Sequence, residues 1–233
     1  MVSIVDGDTI QVITGDDEIT VRLAAINTPD EGECSREEAT ARLNSIVDGA
    51  AVSLEVLGND QFNRTLAHVF ADEGHVNRDM VWAGLALVSE LDGDDPYRDA
   101  LLDAETKAFE SGVGLWASDA CDATGPLPDV AIDPEASEPD PPGSDDTNPS
   151  NEFMTIVNRG METIDLSGWR LRDTSSRHRY TFPEGTSLGP GKVVVVDSDA
   201  VGWDPGDSPV WNNDGDMALL LEPAGRVVSR WRY

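Results

Sequence analysis

Three stretches decide how this chain is read: Val5-Asp6-Gly7-Asp8-Thr9, then Arg22-Leu23-Ala24-Ala25-Ile26-Asn27-Thr28-Pro29-Asp30, then Asp60-Gln61-Phe62-Asn63-Arg64. They bring carboxylate and amide oxygens together with two arginines. Oxygen donors of this kind suit a hard cation such as Ca²⁺. Guanidinium groups match the geometry of a phosphate and stabilise charge that develops on it. A carboxylate beside a metal-bound water can take its proton. Together these are the parts needed to cleave a phosphodiester.

The elements around these stretches read as strands and helices in alternation. Ile19, Val21 and Leu23 alternate with Thr20, Arg22 and Ala24, and Val52, Leu54 and Val56 repeat the pattern, each a half-buried strand. Leu66, His68 and Phe70 share a strand face, with Arg64 two residues before Leu66. Ser35 and Glu38 form a capping-box pattern before Ala39, Leu43, Ile46 and Val47, and Gly49 ends that helix. A second helix is expected from about Asn77 to Leu85, and a third opens at Asp95-Pro96 and stops at Gly112. This order fits a small antiparallel barrel with helices packed on it.

Composition divides the rest. Residues 121–151 hold seven prolines among many acidic residues and no Lys or Arg, which reads as linker or long loop. Beyond it, Phe153, Thr155 and Val157 alternate, Val193 to Val196 reads as a buried strand, and Met217 to Leu221 as another. Strands separated by Gly- and Pro-rich turns suggest a β-sandwich. Arg170, Arg172, Arg177 and Arg179 form the basic cluster of the sequence, able to touch a polyanion or to balance nearby carboxylates.

The whole chain has 233 residues with 45 acidic against 16 basic, a net charge of -29. That excess excludes a protein that coats nucleic acid electrostatically. The longest apolar stretch, Met80 to Val88, is too short for a spanning helix, which needs roughly 20 residues. Only Lys107 and Lys192 are lysines. An acidic, Lys-poor composition resembles that of proteins from extreme halophiles, whose self-repulsion is screened at molar salt. His68, His75 and His178 are not spaced with cysteine as a zinc site would be, and His68 reads as a strand-face residue. Asp197, Asp199, Asp204 and Asp207 fit no EF-hand and read as a solvated acidic loop.

Taken as an ordered set, residues 2–118 resemble the staphylococcal nuclease-like (thermonuclease) family. The resemblance runs through the Asp-Gly-Asp-Thr turn, Arg22 with Asn27-Thr28-Pro29, Arg64, Val76-Asn77 and Gly114-Leu115-Trp116. It implies an OB-fold barrel and Ca²⁺-dependent cleavage of DNA and RNA. Carried over by position, Asp8 and Asn27 are side-chain Ca²⁺ ligands and Thr28 offers its carbonyl. Arg22 and Arg64 grip the scissile phosphate, and Asp30 stands where the general-base Glu belongs. Gln61 and Phe62 replace a Lys-Tyr pair that helps hold substrate. Asn27 stands where the founding nuclease has Asp, which removes one negative charge from the metal site. The resemblance also pairs Cys34 with Cys121, a bridge that favours export, and so a secreted or cell-surface protein whose signal peptide is not seen at Met1.

A second ordered series, Asn151-Glu152-Phe153, Asp165-Leu166-Ser167-Gly168-Trp169, Tyr180-Thr181-Phe182-Pro183, Leu188-Gly189-Pro190-Gly191 and Pro209-Val210-Trp211-Asn212-Asn213, resembles the lamin-tail domain. That implies an immunoglobulin-like β-sandwich, with Val130-Ala131-Ile132 as its first strand. The expected organisation is a nuclease-like domain over residues 1–120, a linker over 121–127 and the sandwich over 128–233. The expected function is Ca²⁺-dependent hydrolysis of DNA or RNA, with the sandwich serving attachment or substrate capture. The alternatives are a binding module that has lost catalysis and a surface adhesion protein.

Overall fold

The computed structural model describes residues 2–15, 17–72, 74–89, 94–139, 141, 152–175, 178–198, 200–201, 203–204, 211 and 216–233. Arg177, Asp199, Asp207, Asn151, Pro209-Val210, Asn212-Asn213 and most of the acidic stretch after Asp140 lie outside the described residues. The chain forms two units, Met1–Ala120 and Cys121–Tyr233. Residues 121–127 group with the second unit, where the Gly125 carbonyl accepts a hydrogen bond from Arg226 Nη1 at 3.0 Å.

The first unit runs β1 (Val2–Ile4), β2 (Thr9–Thr14), β3 (Asp17–Leu23), β4 (Ile26–Asn27), α1 (Arg36–Val47), β5 (Val52–Asn59), β6 (Thr65–Ala71), β7 (Gly74–His75), α2 (Val76–Trp82), β8 (Leu87–Val88) and α3 (Arg98–Ser111). The main sheet is ordered β1-β2-β3-β6-β5, with β7 added to β6. Most neighbours are antiparallel, as expected, but β3 and β6 run parallel, with Arg22 opposite Leu66. The crossover through α1 and β5 explains this, because a parallel pair needs a connection of a dozen or more residues. Among the described residues the sheet is an open path of OB type, with no pairing of β1 to β5.

The alternation in β3 and the stripe on α1 bury Val21, Leu23, Ala39, Leu43 and Val47 in one core with Ile10, Val69 and Met80. In β5 the alternation fails at Val56, which is 57% exposed just before a bulge at Gly58. The capping box does not form. Ser35 sits at a left-handed φ of 65°, and its side chain makes no cap bond, so it is turned away from the helix amides. The second helix ends at Trp82, short of Leu85, because Gly84 reverses the chain.

Two glycines fix the helical side. A Cβ on Gly114 would lie 2.4 Å from the Gly84 carbonyl oxygen, and one on Gly84 would lie 2.2 Å from that of Val113. The chain crosses itself there backbone against backbone, and Leu115 N donates to Gly84 O at 2.8 Å. Both glycines also have positive φ. Asn77, fully buried, ties α2 to the sheet: its Oδ1 accepts from Val69 N, and its Nδ2 donates to Ala24 O.

His68 is more than a strand-face residue. It is fully buried, and its ring shares one hydrogen bond with His75 Nε2 at 3.1 Å and another with Asp95 Oδ2 at 2.9 Å. Tyr97 and Phe70 pack around the pair. Burial, with His68 and Arg78 beside it, pulls His75 down to about 4.

Cys34 and Cys121 are both disulfide-bonded; as the chain's two cysteines they bridge one another.

The second unit contains β9 (Val130–Ile132), β10 (Phe153–Asn158), β11 (Ile164–Asp165), β12 (Arg170–Arg172), β13 (Arg179–Thr181), β14 (Ser187–Leu188), β15 (Val193–Asp197), β16 (Trp203–Asp204), β17 (Met217–Leu221) and β18 (Val227–Arg232). They form sheets β15-β10-β9 and β16-β13-β12-β17-β18 with a short β11-β14 pair, the layers of an immunoglobulin-like sandwich. Trp169, Phe182, Trp203 and Trp211 fill its core with Met154, Ile156 and Leu220. β17 is buried throughout, but β15 is not: Val193 and Val195 are about half exposed. β15 lies in one layer of the sandwich, so alternate side chains point outward, and its run of valines reflects β-branched propensity rather than two-sided burial.

Two expectations follow. Gly114→Ala should destabilise the protein by more than about 2 kcal/mol, since strain at positive φ adds to a backbone clash; denaturant unfolding measures it. His75 binds protons more weakly folded than unfolded. Its contribution is therefore present above its ordinary pKa of 6.5 and is lost as pH falls from there to about 4. Over that window the wild type should lose about 3 kcal/mol more than His75→Gln, read by unfolding at both ends.

Candidate active site

The Asp6–Thr9 turn approaches the Asn27–Thr28 loop because Gly7 has no side chain. A Cβ there would lie 2.7 Å from Thr28 Oγ1 and 2.9 Å from the Ala39 Cβ. With that space closed, Asp8 Oδ2 accepts from Thr28 N at 2.9 Å and from Thr28 Oγ1 at 2.8 Å. Asp8 Oδ1 accepts from Thr9 Oγ1, and Asp6 Oδ1 accepts from the Asp8 amide. Asp8 is 6% exposed, and burial pushes its carboxyl above the ordinary range, against the pull of Arg22.

Arg22 wraps the turn that follows its own strand. Nη1 donates to Leu23 O at 3.0 Å and Ile26 O at 2.9 Å. Nη2 donates to Asn27 Oδ1 at 2.9 Å and lies 3.1 Å from Asp8 Oδ2. The turn passes through Ala25 at a φ of 61°, an uncommon conformation for alanine. It brings β4 back against β8, with Asn27 opposite Leu87. Asp8, Arg22, Asn27 and Thr28 are thus one constellation.

Arg64 lies nearby in register. Leu66 faces Arg22 across the parallel pair, and Arg64 is two residues before Leu66, so the two arginines sit diagonally on one sheet face. The Asp60 carboxylate organises the turn before Arg64. Its Oδ1 accepts from Phe62 N and Arg64 N, and its Oδ2 from Arg64 Nε at 2.6 Å. Desolvation is the largest single influence and pushes the Asp60 carboxyl up, but the hydrogen bonds from Arg64 and Phe62 and the Arg64 charge together hold it below the usual range. Arg64 also stacks over Phe62, which is 62% exposed. Asp60 belongs to the third of the deciding stretches of sequence but has no role of its own there; the structure places it as the residue that positions Arg64. An Asp four residues before a key Arg, across a tight turn, was its signal.

Asp30 is not buried with the constellation. It lies exposed on the loop after Pro29, where its amide donates to Glu33 Oε2. Gln61 is exposed beside Phe62. No group of three or more His, Cys, Asp and Glu side chains able to hold a metal occurs among the described residues. The oxygen donors of the constellation are the Asp8 carboxylate, the Asn27 amide and the Thr28 loop, with the Asp6 carboxylate on the same turn bonded to the Asp8 amide.

In the second unit, Arg170, Arg172 and Arg179 share one face of the five-stranded sheet. Arg230 and Arg232 join them from β18, opposite Leu219 and Met217. Among the described residues, no helix is long and apolar enough to cross a membrane.

The family described as staphylococcal nuclease homologue matches residues 20–118, and the Lamin Tail Domain matches residues 132–233. An uncharacterized endonuclease of Haemophilus influenzae is 35% identical over 118 residues, half of this chain and 65% of that protein. An uncharacterized endonuclease of Escherichia coli O157:H7 is 34% identical over 118 residues, 75% of its own length. A micrococcal nuclease of Shigella flexneri is 30% identical over 126 residues, 72% of its length. The constellation of Asp8, Arg22 and Asn27 therefore sits in a chain that belongs to the staphylococcal nuclease homologue family and carries a lamin tail domain behind it.

Proposed function

We propose that the first unit is a thermonuclease-type endonuclease that hydrolyses phosphodiester bonds of DNA or RNA with Ca²⁺. One observation carries this reading: Arg22 Nη2 stands within 3.1 Å of Asp8 Oδ2 and 2.9 Å of Asn27 Oδ1. The two oxygens are therefore no more than about 6 Å apart, near the spread of two ligands each about 2.3–2.6 Å from a Ca²⁺ ion. The donor set fits a hard cation in kind, and Asp8, Asn27 and the Thr28 carbonyl would hold it. With a single carboxylate, affinity in about the millimolar range is expected. When bound, Ca²⁺ supplies polarisation of the phosphoryl oxygen.

The chain's own residues do the rest. Arg22 and Arg64, on one sheet face, donate to the phosphate and stabilise its developing charge. Asp60 fixes the Nε edge of Arg64 and so sets its direction. Asp30, on its exposed loop, accepts the proton of the attacking water. Phe62 and Gln61 flank the substrate, with Phe62 offering a ring for a base.

We further propose that the lamin tail domain serves attachment or substrate capture, supported by Arg170, Arg179, Arg230 and Arg232, which share one sheet face around the buried Arg172 in a chain of net charge -29. The acidic composition supports a halophilic protein, and the disulfide supports an exported one.

The test is DNA digestion with Ca²⁺ or with EGTA, from dilute buffer to molar KCl, beside Arg64→Ala. Cleavage should require Ca²⁺, rise with salt as self-repulsion is screened, and fall by about 100-fold or more in the variant. Absence of Ca²⁺-dependent cleavage at every salt, or equal cleavage by the variant, would contradict the enzyme reading and favour a binding module.

A further inference from the structure

A cavity of about 380 Å³ opens between α2 and α3, lined by residues of neither the Asp8 constellation nor the Arg64 turn. Its walls follow from helical spacing. Arg78 and Trp82 are four residues apart on α2 and share a face. Ala100, Asp103, Ala104 and Lys107 repeat at the same spacing on α3. The two alanines leave empty the space that larger side chains would fill.

Trp82 is 53% exposed, while none of the other five tryptophans is exposed. An exposed indole is a stacking surface. Lys107, one of two lysines in the chain, holds its Nζ 5.5 Å from that ring. Arg78 stands on the same wall. Each cation has a carboxylate neighbour at the rim: Arg78 lies 3.5 Å from Asp79, and Lys107 lies 2.5 Å from Asp103. All four side chains are about a third exposed or more, and such pairs contribute about 0–1 kcal/mol, so an incoming anion can displace them.

We propose that this cavity is a second contact for single-stranded nucleic acid, taking one base stacked on Trp82 and its phosphates on Arg78 and Lys107. The choice of nucleic acid rests on the nuclease reading above. The volume suits one nucleotide-sized group. Base–aromatic stacking is tolerant of sequence, and both cations serve phosphate. In a chain this acidic, two cations beside an exposed ring locally offset the repulsion of a polyanion. Asp79 and Asp103 keep the long-range attraction small, so short-range stacking carries the binding. A substrate strand held here and cleaved at Asp8 would make two separate contacts with the same unit.

The experiment is a fluorescence titration of the whole chain with an oligothymidylate of about eight nucleotides, in EGTA so that nothing is cleaved. The wild type should show saturable quenching. Trp82→Leu should lose that quenching and bind about tenfold more weakly by anisotropy. Lys107→Gln should weaken binding and Asp103→Asn should strengthen it, opposite signs from two exposed positions where folding is not at stake. Quenching and affinity unchanged in Trp82→Leu would overturn the proposal. So would Ca²⁺-dependent cleavage by a wild type that shows no Trp82-dependent quenching, which would leave the nuclease reading intact. Quenching without any cleavage would uphold the contact and defeat the nuclease reading instead.

Discussion

The guanidinium of Arg22 joins three pieces of chain, adding to the bonds that Asp8 makes with Thr28 and with the Leu23 amide. It bonds the Leu23 and Ile26 carbonyls of its own turn, the Asn27 amide oxygen and the Asp8 carboxylate. The turn contains an alanine at positive φ, a conformation that persists only where neighbours over-determine it. Asp8 is buried and carries a penalty for its charge, which the guanidinium and the Thr28 donors offset. The steric gap at Gly7 lets the carboxylate reach that loop at all. The same residue thus organises the fold locally and gathers the groups assigned to chemistry. Loss of Arg22 should disturb both, which is why Arg64, held by Asp60 and Phe62 of its own turn, is the cleaner probe of phosphate binding.

Much of this was legible in the sequence where a single residue type has few uses. Alternation marked β3, Gly112 marked the end of α3, and the ordered Asp-Gly-Asp-Thr and Asn-Thr-Pro stretches marked the constellation. Legibility failed where tertiary neighbours decide. Ser35 and Glu38 have capping-box chemistry, but Ser35 is turned left-handed and caps nothing. Four successive valines in β15 look buried, yet Val193 and Val195 point outward from their layer and are about half exposed. His68 was read on a strand face because its partners, His75 and Asp95, arrive only through a hairpin and a loop 27 residues away. The hold of Asp60 on Arg64 needed the turn geometry as well as the spacing. The parallel β3–β6 pairing likewise depends on how the crossover runs, which periodicity does not report.

The charge of -29 gains a more local meaning from the structure. Broad attraction to nucleic acid is absent, so binding has to come from short-range contacts. The cations are gathered locally: Arg22 and Arg64 on one sheet face, Arg78 and Lys107 beside Trp82, and Arg170, Arg179, Arg230 and Arg232 around the buried Arg172 on a face of the sandwich. Long-range repulsion between two polyanions is screened within about 3 Å at molar salt, while stacking, hydrogen bonds and metal contacts persist. Acidity and a nuclease family are compatible on these terms.

The measurement that bears most directly on the Asp8–Arg22–Asn27 centre is Ca²⁺ binding and DNA cleavage by Asp8→Asn, compared with wild type at molar KCl. The variant keeps the size of the side chain and an oxygen for Thr28 but removes the buried carboxylate of this centre. If the account is right, the variant stays folded, loses Ca²⁺-dependent stabilisation, and cleaves at least about 100-fold more slowly. A folded Asp8→Asn protein that binds Ca²⁺ and cleaves DNA like wild type would contradict it.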